Sequence, residues 1–114
     1  MICNFYSYKI RLTIISARQA ATGMKYVESQ NIVHRDLALR NLLITGAGKD
    51  SFVVKVGDLG LSRTVESSYY KSEGKPIPYK WSAPEMILQG RSTSKSDVWS
   101  YGIVCFISVK IVNF

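Results

Sequence analysis

Three residues in this chain could meet around a phosphate group: Asp36, Asn41 and Asp58. The apolar run Leu42-Leu43-Ile44-Thr45, the turn-forming Gly46-Ala47-Gly48-Lys49-Asp50-Ser51 and the β-rich Phe52-Val53-Val54-Lys55-Val56 read as a short hairpin. Its strands run antiparallel, so Asn41, just before the first, and Asp58, just after the second, should emerge side by side. An amide oxygen beside a carboxylate suits Mg²⁺, a hard ion that takes one or two protein oxygens and completes its shell with phosphate and water. Asp36 lies five residues upstream of Asn41, within reach of a hydroxyl presented to such a phosphate. A carboxylate there can orient the hydroxyl and receive its proton. Taken singly, each residue has an ordinary alternative: Asp36 or Asp58 capping a surface turn, Asn41 starting a strand.

The elements that must position these groups follow from the pattern on either side. From Ile14, the residues Ala17, Ala20, Ala21, Met24 and Val27 recur at helical spacing with polar residues between them, which predicts an amphipathic helix ending near Gln30-Asn31. Residues 58 to 82 show no sustained period, and a loop that long inside a domain is usually functional or disordered. Pro84 and Gly90 bracket a short helix, Pro84 to Gln89. Ser96 or Asp97 then caps a last helix through Val98, Trp99, Tyr101, Ile103, Val104 and Phe106, apolar on nearly every face and therefore of the buried kind.

Composition narrows the classes of function. A chain of 114 residues with 46% hydrophobic content can build one core. The net charge of +7 is spread from Lys9 to Lys110 without a run, unlike a nucleic-acid arm or a polybasic membrane patch, so no nucleic-acid partner is expected. Cys3 and Cys105 show neither metal-ligand spacing nor disulfide density, which suits a reducing, cytoplasmic setting. The longest apolar stretch, Tyr101 to Val109, is too short to cross a bilayer, and the first residues lack the features of a signal peptide.

The run His34-Arg35-Asp36-Leu37-Ala38-Leu39-Arg40-Asn41 resembles the catalytic loop of protein tyrosine kinases, and three further motifs follow in the family's order. They are Asp58-Leu59-Gly60, Ala83-Pro84-Glu85, which closes the activation segment, and Asp97-Val98-Trp99-Ser100-Tyr101-Gly102, which opens the central helix of the larger lobe. The resemblance implies an α+β fold: part of a kinase C-lobe, mainly helical, with a short catalytic-loop β-hairpin. It further implies ATP and Mg²⁺ as cofactors, Asp36 as the catalytic base with Arg40 beside it, and Asn41 and Asp58 as metal ligands. Leu43 falls to nucleotide contact, and His34, Glu85 and Asp97 to structural roles.

Two features of the resemblance point to tyrosine rather than serine or threonine. Ala38 stands where serine/threonine kinases place a lysine, with Arg40 two residues later, and Pro78-Tyr79-Lys80-Trp81-Ser82 resembles the platform on which a tyrosine ring rests, with Pro78, Lys80 and Trp81 as its landmarks. The partners implied are proteins or peptides bearing tyrosine. Tyr69 and Tyr70 lie mid-segment, where such kinases are switched by phosphorylation, and Arg35 and Arg63 are the expected phosphate partners. Ordinary exposed aromatics are the alternative for the tyrosines, and a structural donor to the same loop is the alternative for Arg35. Trp81 and Trp99 read as core or platform residues. The wording Tyr69-Tyr70-Lys71 and the spacing to Trp81 loosely resemble the focal adhesion kinase group.

The chain also departs from the family. Nothing in it resembles the glycine-rich phosphate loop or the strand lysine, and no glutamate can be assigned as that lysine's partner. Leu59 replaces the usual Phe, Ile107-Ser108-Val109-Lys110-Ile111-Val112-Asn113-Phe114 replaces the usual continuation, and the Arg that pairs with Glu85 in the family is expected to be missing with the helices that complete the lobe. The expectation is a partial domain lacking the N-lobe and the C-terminal helices, from a truncated product or partial gene model, whose last helix exposes an apolar patch. Its parent would be a tyrosine kinase and the chain itself inactive. The alternative is a catalytically silent interaction or decoy fragment.

Overall fold

The computed structural model describes residues 2–46, 48, 51–65, 68–72, 74 and 76–112, with side chains from residue 7 onward. Helix α1 (Ile2–Ser29) is longer than the stretch from Ile14 that its periodicity marks. At 1.5 Å per residue it runs about 42 Å, and the molecule measures 52 Å along its longest axis. Ala20 is fully buried on it, whereas Ile14 and Ala21, placed on its apolar stripe by spacing, are exposed. The helix ends where expected, with Asn31 at φ 54° and its N–H donating to the Glu28 carbonyl at 2.9 Å.

After α1 come β1 (Ile32–Val33), β2 (Leu42–Thr45), β3 (Val53–Val56), β4 (Arg63–Thr64), β5 (Tyr70–Lys71), α2 (Pro84–Gln89), β6 (Arg91–Ser92) and α3 (Ser94–Val112). The hairpin forms as its sequence predicts, with Leu42 opposite Val56 and Thr45 opposite Val53. The segment from 58 to 82 is fastened to the rest by two-residue antiparallel ladders. β4 pairs with β1, and β5 pairs with β6. Ladders that short carry no hydrophobic period, which is why the sequence reads there as loop.

Helix α2 spans the expected residues and ends on Gly90, whose φ of 64° is the left-handed conformation that glycine adopts without strain. Helix α3 differs from expectation at its start. Thr93, rather than Ser96 or Asp97, takes the capping place: its Oγ1 accepts from Lys95 N at 3.1 Å, and its own N–H donates to Ser96 Oγ at 3.2 Å.

The larger correction concerns which face of α3 is inside. Its buried residues are Ser96, Asp97, Ser100 and Val104. Trp99 is 48% exposed and so is no core residue here, while Val98, Phe106 and Ile111 are 60%, 59% and 62% exposed. The polar residues face inward because the segments they meet have backbone groups that no ladder satisfies. Ser100 Oγ donates to the Trp81 carbonyl at 2.7 Å. On the α1 side, Tyr101 Oη donates to the Ala17 carbonyl at 2.8 Å. Several large apolar residues of this helix, Val98, Trp99, Phe106, Val109 and Ile111, are therefore exposed. Among the described residues, no helix is long and apolar enough to cross a membrane.

Candidate active site

The loop between β1 and β2 is almost wholly buried from His34 to Ala38. Asp97, reaching in from α3, accepts the backbone N–H of His34 at Oδ2, 2.8 Å away, and that of Arg35 at Oδ1, 3.0 Å away. Desolvation pushes the Asp97 carboxyl above the usual aspartate range, against the pull of the two backbone donors. Arg35 holds a φ of 69°, a conformation that only a well-bonded non-glycine residue sustains.

His34 is fully buried and links the two halves of the site. Its Nδ1 accepts the Asp36 N–H at 3.2 Å, which puts the proton on Nε2, where it donates to the Gly57 carbonyl at 3.0 Å. The ring therefore spans from the backbone of Asp36 to the residue before Asp58.

Both Asp36 carboxylate oxygens are engaged. Oδ1 pairs with Arg40 Nη2, and Oδ2 accepts from Asn41 Nδ2 at 3.1 Å. The same Asn41 nitrogen donates to the Asp36 carbonyl at 2.7 Å. Two donors at fixed positions hold the carboxylate in one orientation, and each oxygen keeps a lone pair for a further donor.

Hairpin geometry brings the Asn41 and Asp58 positions together as the sequence predicts: Gly57 N donates to the Asn41 carbonyl at 2.8 Å, and Asp58 is the next residue. Asp58 is exposed, sits at φ 55°, and accepts from Gly60 N at 3.3 Å. The donor set suits Mg²⁺. The Asn41 side-chain bonds both come from its nitrogen, which leaves the amide oxygen for a cation, and Asp58 supplies an exposed carboxylate. No group of three or more His, Cys, Asp or Glu side chains gathers among the described residues, so any such ion would depend on phosphate and water for most of its shell. Leu43 is exposed on β2, and its Cδ1 would lie 3.0 Å from a Cβ on Gly57, which places an apolar ledge beside the Asp58 end of the hairpin.

The segment after Asp58 returns to the loop through Arg35. The guanidinium donates to the Leu61 carbonyl at 3.0 Å, to Ser72 Oγ at 2.9 Å and to Ser92 Oγ at 3.4 Å, and lies 4.4 Å from the Tyr70 ring centroid. Burial lowers the Arg35 pKa, and the nearby Arg63 charge adds to that. Arg63 itself donates to the carbonyls of Ser62 at 2.7 Å and Gly60 at 3.4 Å. The guanidinium on the other tyrosine is Arg91, 4.7 Å from the Tyr69 ring centroid. Neither Arg91 nor Ser72 nor Ser92 was picked out from the sequence. Their signal is a two-residue ladder that no periodicity reveals.

Pro78 precedes a 3₁₀ turn at Tyr79–Trp81, where Tyr79 and Lys80 are exposed and Trp81 is half-buried. Glu85 accepts the Ser96 hydroxyl at 2.8 Å.

The sequence profile of the protein tyrosine and serine/threonine kinase family matches residues 6–110. Human protein-tyrosine kinase 6 is 50% identical over 88 residues, covering 77% of this chain and 19% of that protein. Human tyrosine-protein kinase Fer is 46% identical over 97 residues, covering 84% of this chain and 11% of that protein. The tyrosine-protein kinase transforming protein Fps of avian sarcoma virus is 46% identical over 98 residues, covering 84% of this chain and 18% of that protein. The chain thus spans less than a fifth of the length of these curated relatives. An ordered catalytic-loop carboxylate, an Asn–Asp pair at the hairpin's open end and a profile match over nearly the whole chain agree: this chain belongs to the protein tyrosine and serine/threonine kinase family.

Proposed function

We propose that this chain is the catalytic-loop and activation-segment part of a protein tyrosine kinase, which transfers the γ-phosphoryl group of ATP to tyrosine hydroxyls of protein substrates. The observation that carries the reading is the Asp36 carboxylate, fixed by Arg40 and by Asn41, whose backbone is bonded to the residue before Asp58. Asp36 is the group that orients the phenol and receives its proton. Asn41 and Asp58 hold Mg²⁺, which when bound neutralises charge on the phosphates. Leu43 supplies an apolar contact for the nucleotide.

Ala38 and Arg40, with the Pro78, Lys80 and Trp81 ledge, support tyrosine as the acceptor, as do the names of the relatives. Tyr69 and Tyr70 are the sites at which phosphorylation would act, with Arg35 and Arg63 in the receiving pocket. The reading places the chain in the C-lobe, with the ATP-gripping N-lobe outside residues 1–114, and in the cytoplasm or on the cytoplasmic side of a receptor. A catalytically silent interaction fragment is the second reading, favoured by the exposed apolar residues of α3.

The test is phosphate transfer with Mg²⁺, ATP and peptides bearing tyrosine or serine. Residues 1–114 alone are expected to transfer none. The product of the whole gene is expected to phosphorylate tyrosine only, and to lose about 10²–10⁴-fold in rate on Asp36→Asn. Transfer to serine, or a rate indifferent to Asp36→Asn, would overturn the reading.

A further inference from the structure

Among the described residues strand β3 has one ladder partner, β2, so its other edge faces away from the hairpin. Antiparallel pairing sends the backbone groups of alternate residues to opposite edges. Gly57 N donates to the Asn41 carbonyl, so the odd-numbered residues of this stretch face β2, and residues 52, 54 and 56 face outward. On that outer edge lies one side chain from α1. Gln19 Oε1 accepts the Val54 N–H at 2.6 Å, and Gln19 Nε2 donates to the Phe52 carbonyl at 3.3 Å. The amide does for β3 what the peptide group of a third strand would do.

One helical turn further along α1, Gly23 faces the same strand. A Cβ there would lie 3.0 Å from Val56 Cγ2, so the absence of a side chain lets α1 and β3 approach closely. Helix α1 thus holds β3 at two points, by hydrogen bonds at Gln19 and by fit at Gly23. Two residues beyond Val56 the chain reaches Asp58.

We propose that Gln19 is a positioning residue for Asp58: by gripping residues 52 and 54, it fixes how far β3 extends and so where the Asp58 carboxylate stands relative to Asn41. The proposal rests on the reading of Asn41 and Asp58 as a metal pair. A slip of one residue along the strand would move Asp58 by about 3.3 Å. It would also carry every side chain of β3 to the opposite face, putting Lys55 where Val54 is buried. That displacement exceeds the tolerance of any shared ligand position.

The experiment uses the 114-residue chain, with Gln19→Leu to remove both bonds and Gln19→Glu to keep only the acceptor for Val54. Amide exchange is read at Val54, at Gly57, and at His34 and Arg35, whose amides are held independently by Asp97. In Gln19→Leu the Val54 and Gly57 amides are expected to exchange about tenfold faster, the equivalent of one hydrogen bond. His34 and Arg35 should stay unchanged, and Gln19→Glu should fall between the parent and Gln19→Leu. Unchanged exchange at Gly57 would overturn the proposal, and so would an equal acceleration at all four amides, which a merely stabilising residue would give. If Gln19→Leu does not fold, Gln19→Glu alone decides on the same comparison. Mn²⁺ broadening of the Asn41 and Asp58 resonances separates the two claims. Its absence in the parent chain with ATP present removes the metal reading, whereas the amide pattern decides the role of Gln19.

Discussion

Asp97 accepts the Arg35 backbone N–H at 3.0 Å while Arg35 sits at φ 69°. The left-handed conformation costs about 1–2 kcal/mol for a residue with a Cβ. It turns the His34 and Arg35 amides toward the same carboxylate, and so aims the following residue, Asp36, at Arg40 and Asn41. The shape of the loop from His34 to Asn41 is thus imposed from α3, more than sixty residues away in the chain.

Asp97→Ala leaves two buried N–H groups without acceptors and is expected to destabilise the chain by about 2–5 kcal/mol. Asp97→Asn, keeping one acceptor oxygen, should cost less. Chemical denaturation followed by circular dichroism measures both. Equal stability of Asp97→Ala and the parent would refute the clamp.

Acid should act on this clamp in an unusual direction. Burial raises the Asp97 pKa, so the folded chain binds that proton more tightly than the unfolded chain does. The group's contribution to stability is therefore fully present below its unfolded pKa and is lost as pH rises through its folded pKa. Carboxyl ¹³C titration is expected to show an Asp97 midpoint above the usual aspartate range. In that window the slope of stability against pH should be more negative in the parent than in Asp97→Asn. A midpoint below the usual range would reverse the sign and sink the argument.

At the end of α2, Gly90→Ala meets two obstacles: φ is 64°, and the new Cβ would stand 3.0 Å from the Ser72 carbonyl oxygen. The obstruction is backbone, so no side chain can swing aside. The expected loss is about 1–2 kcal/mol, with faster exchange at the Ser72 amide, which donates to the Gly90 carbonyl at 2.7 Å. A neutral Gly90→Ala would show that this junction yields more readily than its geometry implies.

Arg35→Lys keeps the charge but cannot reach Leu61, Ser72 and Ser92 together, since a lysine presents one ammonium where arginine presents a planar fork. The variant is expected to lose about 1–3 kcal/mol and to loosen β5 from β6 while the β2–β3 hairpin stays intact. Amide exchange at Ser72 against that at Lys55 checks the contrast. Equal protection in variant and parent would assign the fastening to the ladder alone.

Much of this site was legible because its information is local. Hairpin antiparallelism placed Asn41 beside the residue before Asp58, and Pro84 and Gly90 marked the ends of α2. What stayed hidden depends on contacts distant in sequence. Gln19 reads as one more polar residue on an amphipathic helix, yet its amide completes the edge of β3. Arg91 lies over the Tyr69 ring through a contact that its place in the sequence does not signal. The all-round apolarity of α3 suggested burial. Yet a pattern states how much apolar surface a helix carries and not which neighbours cover it. Within this chain three of the four buried positions of α3 went to Ser96, Asp97 and Ser100, with Val104 the fourth, because the loops the polar residues meet need hydrogen-bond partners.

That inversion of α3 has a calorimetric consequence. Unfolding raises heat capacity in proportion to newly wetted apolar area, typically by about 12–15 cal/mol/K per residue. Val98, Trp99, Phe106, Val109 and Ile111 are already about half exposed in the folded chain, so each adds only about half of what a buried side chain would when it melts. Scanning calorimetry of residues 1–114 should give a per-residue increment below that range. The stability curve would then be flatter with temperature, and the denaturant dependence shallower than chain length alone would suggest.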